Sequence, residues 1–235
     1  GVWDDEPDDK KTAHFDELDD ILRTTSETFL GLTTGCARCH DHMFDPISQK
    51  DYYSLLAYFR NVKGYEKPGK NSSILSSISG GEALTISENG ENVPETHVLI
   101  RGEATKPDYK VEPSVPSVFK MKITEPVPTG HSSGRRLALA NWIANPSNPL
   151  TSRVMVNRIW QYHFGKGIVG SPNDFGQAGE PVSNLKLLDW LATEFVSSGW
   201  SVKHMHRIIM NSKTYQRSSK SNPNNMTKDP SNIHH

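Results

Sequence analysis

G-C-A-R-C-H-D-H-M-F-D-P, from Gly35 to Pro46, is the stretch of this 235-residue sequence that places the strongest constraint on its interpretation. It contains both cysteines of the chain, Cys36 and Cys39, and His40 follows the second one directly. Two thiols one turn apart can add to the two vinyl groups of a single haem, and the adjacent imidazole can then bind the iron. The spacing therefore predicts a covalent c-type haem on Cys36 and Cys39, with His40 as the proximal ligand.

Other chemistry is open to the same stretch. A zinc ion could use four ligands within seven residues, namely Cys36, Cys39, His40 and His42. Such a set is cramped for a tetrahedral ion, because structural zinc sites usually join two separated segments. The cysteines could instead form a redox dithiol, a disulfide or an unreactive pair, but redox pairs of this kind usually follow a strand, and the residues before Cys36 have a helical pattern. Zinc, or thiols without a metal, are therefore kept as alternatives to haem.

Composition limits the classes of function. The formal charge of -1 gives no electrostatic reason to expect a nucleic acid or an anionic membrane as partner. With 34% hydrophobic residues and a mean hydropathy of -0.60, no run approaches the length of a membrane span. A hydrolase using Asp41, His42 and Asp45 around a metal is a weaker hypothesis, since no nucleophile elbow or phosphate loop accompanies these residues. We expect electron transfer or a structural role rather than catalysis.

The predicted fold is mainly α, with a small β or irregular insertion. Apolar residues recur at helical spacing from His14 to Leu32, and Ser48 with Asp51 forms a capping box for a second helix. Residues 1–65 are therefore predicted as a helical segment that carries the motif. Residues 66–130 are predicted as an irregular or β insertion followed by a proline-rich connector, with a turn at Asn89-Gly90 between short strands at Leu84–Ile86 and His97–Ile100. Residues 131–235 are predicted as a helical domain, incomplete at its C-terminal end, in which one helix ends at Gly165 and another starts at Ser201.

A low-spin electron-transfer haem needs a second axial ligand. His206 is the first candidate, because on a predicted helix it shares a face with Val202, Met205, Ile209 and Met210, whereas His204 is expected to face solvent. His163 is the second candidate and Met155 the third. His42 is too close to His40 to reach the opposite haem face, so it is expected to be a neighbour of the haem or a ligand of a second metal. If His206 is the sixth ligand, its replacement by alanine should convert a low-spin spectrum into a high-spin one.

Blocks of sequence on both sides of the insertion resemble a known pair of domains. The N-terminal blocks resemble the second cytochrome-like domain of large secreted planctomycete-type proteins, and they are Phe29–Thr33, Cys36–His42, Phe44–Ile47 and Asp51–Tyr53. The later blocks resemble the partner helical domain of unknown function that follows it in the same polypeptides, and they are Gly134–Ala138, Asn157–Gln161, Asp174–Gly176, Leu188–Leu191 and Thr214–Gln216.

This resemblance implies a longer, exported parent protein that is periplasmic or extracellular. The haem hypothesis also needs export, and the sequence starts at Gly1 without a signal peptide, so we expect the chain to be a portion of that longer polypeptide. The implied partners are a redox partner protein or other cytochrome subunits within a larger complex. Two positions depart from the family pattern: Met43 replaces a residue that is usually basic, and Asn184 lies near a position where a histidine is common.

Overall fold

A computed structural model describes residues 9–63, 73–78, 81–85, 87–121, 123–218, 220 and 223–229. Helices predominate and the β structure is small, so the predicted mainly α class with a small β insertion is confirmed. The helices are α1 Lys10–Thr25, α2 Gln49–Leu56, α3 Arg135–Ile143, α4 Thr151–Phe164, α5 Leu185–Ser197, α6 Val202–Met210 and α7 Pro223–Lys228. The strands are β1 Ser73–Ile78, β2 Gly81–Thr85, β3 Thr96–Leu99 and β4 Pro107–Val111. Most of the acidic segment 1–12 and the terminal pair His234-His235 lie outside the described residues.

The chain divides into two compact units. The first consists of Gly1–Ser26 with Thr34–Ile143, and the second consists of Glu27–Thr33 with Ala144–His235. The predicted domains 1–65, 66–130 and 131–235 remain a prediction. Within the described part of the chain, no helix is both long and apolar enough to cross a membrane.

In the first unit, α1 begins at a capped end. The Asp9 carboxylate accepts hydrogen bonds from the backbone N–H groups of Lys11 and Thr12, at 3.0 and 3.1 Å. Regular α-helix ends at Thr25, earlier than the apolar pattern up to Leu32 predicts, and Ser26–Leu30 is a π-helical turn. The Thr25 hydroxyl donates to the carbonyl of the residue four positions earlier, a local bond that competes with regular helix.

The capping box predicted for α2 is confirmed. The Ser48 hydroxyl accepts from the Asp51 N–H at 3.0 Å, and the Asp51 carboxylate accepts from the Ser48 N–H at 2.9 Å. This closed N-terminus directs Tyr52, Tyr53 and Leu55 into the interior, where each is almost completely buried. The helix after the motif therefore contributes mainly to the core of the first unit.

The strands pair differently from the hairpin expected at Asn89-Gly90. β2 pairs with β1 and β3 pairs with β4, both antiparallel, so the strands on either side of this turn are not partners. Gly90 has the positive φ of a turn residue, +85°, but its carbonyl accepts a hydrogen bond from the Asn61 side chain at 2.6 Å. The proline-rich connector supplies β4, which starts at Pro107, a position where a strand tolerates the missing N–H. Ile86, predicted as a strand end, lies outside the described residues.

The core of the second unit is built by α4, α5 and α6 around residues such as Trp160, Leu191 and Met205. Two polar side chains of α4 hold the surrounding loops. The fully buried Asn157 exchanges hydrogen bonds with the backbone of Val169 at 2.8 and 3.0 Å. The Arg158 guanidinium donates to the carbonyls of Glu27 and Thr28 and to the Asn173 side chain.

Candidate functional site

The C-x-x-C-H motif forms a tight surface turn in the first unit. Gly35–Arg38 is a 3₁₀ helix, and the Cys39 N–H lies 3.4 Å from the Cys36 carbonyl, which closes one turn. Both cysteines are free and exposed, and so is His40. The three side chains that the sequence selects are therefore accessible to a partner molecule.

Arg38, between the two cysteines, anchors this turn. Its guanidinium lies 2.7 Å from the Asp16 carboxylate and 3.6 Å from that of Asp19, both on α1. Burial opposes the charge of Arg38, but the two carboxylates outweigh it and raise the pKa of the guanidinium. The Arg38 carbonyl accepts from the Tyr53 hydroxyl at 3.0 Å and from the Gln49 side-chain amide at 3.0 Å. Side chain and backbone of one residue thus fix the turn to both helices.

Gln49 at the start of α2 connects the motif to the rest of the unit. Its backbone N–H donates to the Asp41 carboxylate at 2.7 Å, and its side-chain amide also donates to the Leu99 carbonyl at 3.0 Å. Just after Leu99, Gly102 has φ +74° and approaches Cys39 closely. The thiol of Cys39 therefore sits against backbone that only glycine accommodates without strain.

The hydrogen bond of His40 decides which of its ring nitrogens is free. Nδ1 of His40 lies 2.7 Å from the carbonyl oxygen of Asp41. A carbonyl can only accept, so Nδ1 carries the proton and donates it. In the neutral ring the lone pair then resides on Nε2. Metal-binding histidines commonly have this arrangement, with one nitrogen donating to a carbonyl and the other bound to the metal.

His42 is arranged in the opposite way. Its side chain is only 4% exposed, and Nδ1 accepts from the N–H groups of Asp45 and Phe44 at 2.9 and 3.3 Å. The ring proton is therefore on Nε2, and the side chain organises the loop that follows the motif. Among the described residues, no three His, Cys, Asp or Glu side chains are grouped to hold a metal ion. The geometry of the motif thus gives no support to zinc held by Cys36, Cys39, His40 and His42, or to the metal-hydrolase hypothesis, and both remain hypotheses.

Apolar side chains are exposed near the motif. Met43 is 74% exposed and Phe44 is 55% exposed, and both directly follow His42. Ile100 is also exposed, two residues before the glycine that contacts Cys39. Two free thiols and an imidazole nitrogen are the groups that would attach a haem and bind its iron. The haem macrocycle is flat and apolar, so the exposed apolar side chains also suit it.

The residues predicted as distal haem ligands belong to the second unit, and their binding to haem iron remains a prediction. The structure brings His163 and His206 together: Nε2 of His163 lies 2.7 Å from Nδ1 of His206. Met155 is partly buried against the apolar core. The inward stripe predicted for the His206 helix is only partly right. Met205 and Ile209 are buried, whereas Val202 and Met210 lie at the solvent edge of the stripe and are 42% and 49% exposed.

Two other positions named from the sequence have defined contacts. His204, expected to face solvent, is partly exposed and lies 2.9 Å from the Glu194 carboxylate on α5. Asn184 caps α5 by accepting from the Leu187 N–H at 3.0 Å. The side chains that hold the motif, chiefly Gln49 and Tyr53, were not identified from the sequence, because their contacts join residues far apart in the chain.

Comparison with known families covers both ends of the chain. Residues 1–64 match the family model PSCyt2, described as a protein of unknown function (DUF1549). Residues 135–235 match the family model PSD1, described as a protein of unknown function (DUF1553). Both are the planctomycete-type families that the sequence blocks resemble. No curated protein and no solved structure matches the chain.

Proposed function

We propose that this chain carries one covalent haem c and serves as an electron-transfer module of an exported protein. Cys36 and Cys39 would hold the haem through thioether bonds, and His40 would bind its iron through Nε2. The observation that carries the proposal is the hydrogen bond from Nδ1 of His40 to the Asp41 carbonyl, because in the neutral ring it places the lone pair on Nε2, in a motif whose two thiols are exposed.

The roles of the surrounding residues follow from their contacts. In attaching the haem, Cys36 and Cys39 would each add across one vinyl group, the sulfur bonding to one vinyl carbon and the thiol proton passing to the other. Haem supplies a one-electron couple when bound. The Asp41 carbonyl keeps the proton on Nδ1 of His40 and so orients the ring. Arg38 holds the turn between the cysteines through the carboxylate of Asp16.

The module is expected to be periplasmic or at the cell surface and to exchange electrons with a redox partner protein or other cytochrome subunits. The exposure of Cys36, Cys39 and His40 supports electron exchange with a partner, because electrons pass most readily to a protein that can approach the edge of the cofactor. Catalysis is not part of the proposal.

A structural or interaction module is the second candidate. The observation that favours it is the anchoring of the turn by Arg38, Gln49 and Tyr53, because these contacts join the loop to α1 and α2 through side chains of the protein. A haem or zinc would then only brace a fold that the protein has already fixed.

Mass spectrometry of the chain tests the haem attachment on which the first candidate depends. After expression with the cytochrome c maturation machinery and export, we expect the intact chain to be heavier by one haem. The Cys36→Ala/Cys39→Ala variant should have the mass of the polypeptide alone, and His42→Gln, which leaves both thiols in place, should keep the added mass. An unmodified wild-type chain that folds normally would overturn the haem proposal and favour the structural module.

A further inference from the structure

A pair of imidazoles in the second unit is not used by the proposed haem attachment. His163 lies in the last turn of α4 and His206 lies in the middle of α6. Nε2 of His163 and Nδ1 of His206 are 2.7 Å apart. A hydrogen bond of this length needs one donor and one acceptor, so a single proton lies between the two rings.

The surroundings favour the neutral form of His163 and leave both rings reachable. Both rings are half-buried. The ring of Tyr215 stands nearly perpendicular to that of His163, with 5.4 Å between centroids. Burial, and secondarily the charge of His206, lowers the pKa of His163. Among the residues that the structure describes, no carboxylate lies within ion-pair distance of either ring.

Two facing, neutral imidazoles are the ligands that borderline transition metals prefer, and affinity for such sites is highest for Cu²⁺. We propose that His163 and His206 together bind a divalent transition-metal cation of this class, which takes the place of the proton they share. The shared proton passes by way of solvent to the other nitrogen of the same ring, so both imidazoles stay neutral, and water completes the coordination. The site uses none of the three residues that would attach and ligate the haem, Cys36, Cys39 and His40, and it is an alternative to the predicted role of these two histidines as distal haem ligands.

The required movement is small. Metal–nitrogen bonds of about 2.0–2.1 Å place two neighbouring nitrogens about 2.9 Å apart in the square-planar geometry that Cu²⁺ prefers and about 3.3 Å apart around a tetrahedral ion. The two rings must therefore separate by about 0.2–0.6 Å from their hydrogen-bonded distance, within reach of small side-chain rotations. Bound metal would cross-link α4 to α6 and stabilise the second unit.

His204 provides a matched control. It lies two residues from His206 on the same helix and is similarly half-buried, but its Nε2 faces the Glu194 carboxylate at 2.9 Å instead of another imidazole. A histidine of this helix that bound copper only through general surface affinity would behave like His204.

The test is titration of the full chain with Cu²⁺, with any free thiols first blocked by iodoacetamide so that copper meets no reactive sulfur. Binding is followed by calorimetry, and the copper electron paramagnetic resonance signal shows how many nitrogens are bound. We expect one site with two nitrogen ligands in the wild type and in His204→Gln. His163→Gln and His206→Gln, which retain a polar side chain, should each bind at least about tenfold more weakly.

Equal binding by all four proteins would overturn the proposal, because copper would then be held by other residues. The absence of a stoichiometric site in the wild type would also overturn it. If a variant does not fold, the wild type still decides. Cu²⁺ should protect His163 and His206, but not His204, from modification by diethyl pyrocarbonate, and equal modification of all three would contradict the site. Haem content, measured on the same samples, keeps the two proposals distinguishable.

Discussion

A Cβ atom placed on Gly102 would lie 2.9 Å from the sulfur of Cys39, closer than two such atoms can approach. Gly102 also has φ +74°, a region that residues with side chains rarely adopt. Because Gly102 has no side chain, the turn that contains it can lie against the Cys39 thiol. Replacing Gly102 therefore tests how the motif is positioned.

Gly102→Ala should destabilise the chain and displace the Cys39 thiol. The positive φ alone costs about 1–2 kcal/mol, and the contact with the sulfur adds to that cost. Gly130→Ala is the matched control, because Gly130 has φ +79° but nothing within 4 Å of its added Cβ. Thermal unfolding should show a larger loss for Gly102→Ala, accompanied by a lower yield of haem attachment. Equal losses in the two variants would mean that the Cys39 contact is unimportant.

Tyr53→Phe tests the hydrogen bond to the motif carbonyl. Its hydroxyl donates to the Arg38 carbonyl at 3.0 Å, and a net hydrogen bond contributes about 0.5–1.5 kcal/mol to stability. Tyr58→Phe removes a hydroxyl that is also buried but has no hydrogen-bond partner among the described residues. Burial raises the pKa of Tyr58 to about 12. Denaturant unfolding should show that Tyr53→Phe is destabilising while Tyr58→Phe is neutral or stabilising, and the reverse order would contradict the assigned contacts.

Glu88 is expected to be the most costly carboxylate to replace in the first unit. Its side chain is 2% exposed and accepts from Arg136, from the Ser133 N–H and hydroxyl, and from the Ser132 hydroxyl, at 2.8 to 3.1 Å. Breaking such a buried pair costs about 3 kcal/mol. Glu88→Gln should therefore lower the unfolding free energy strongly, whereas Glu95→Gln, in an exposed pair with Lys110, should change it little.

The same carboxylate predicts a pH dependence. Burial would by itself raise the pKa of Glu88, but the hydrogen bonds from Arg136, Ser133 and Ser132 outweigh it and hold the pKa below its ordinary value. A lowered pKa in the folded state means that this stabilisation is present above the unfolded pKa of about 4.5 and is lost as the pH falls through the folded value. Unfolding midpoints between pH 6 and pH 3 should fall more steeply for the wild type than for Glu88→Gln. Parallel curves would exclude this role.

The two histidines of the motif should differ in a haem-loaded protein. His40→Gln removes the exposed nitrogen assigned to the iron, so the native Soret band should shift while the thioether bonds remain. His42→Gln removes a buried acceptor of two backbone N–H groups, and it should lower stability by about 1–3 kcal/mol with the Soret band in place. The absorption spectra and melting curves of both variants provide the comparison. A Soret shift in His42→Gln alone would reverse the assignment of the ligand.

Local signals in the sequence predicted much of the helical structure. The Ser48–Asp51 capping box, the Ser201 cap of α6 and the glycine that ends α4 at Gly165 all occur as expected, because each depends on residues a few positions apart. The predicted strand pairing was wrong. β3 pairs with β4, the next strand along the chain, which the proline-rich connector supplies, and the Asn89-Gly90 turn does not indicate which neighbouring strand β3 pairs with.

The candidate site shows the same division. Cys36, Cys39 and His40 follow from spacing alone, but the tautomer of His40 depends on where the Asp41 carbonyl points. The pairing of His163 with His206 depends on how α4 packs against α6. Helical periodicity placed His206 on the apolar stripe of α6, yet it did not indicate that a second imidazole would meet it.

The most direct measurement is an absorption spectrum of the purified, exported chain, oxidised and reduced, with a denatured pyridine-haemochrome sample beside it. We predict a native Soret band and, after denaturation, an α-band at the position typical of haem joined by two thioether bonds, both absent from Cys36→Ala/Cys39→Ala. A colourless wild-type protein, folded and obtained under conditions that mature other c-type cytochromes, would contradict the haem and the electron-transfer role that depends on it.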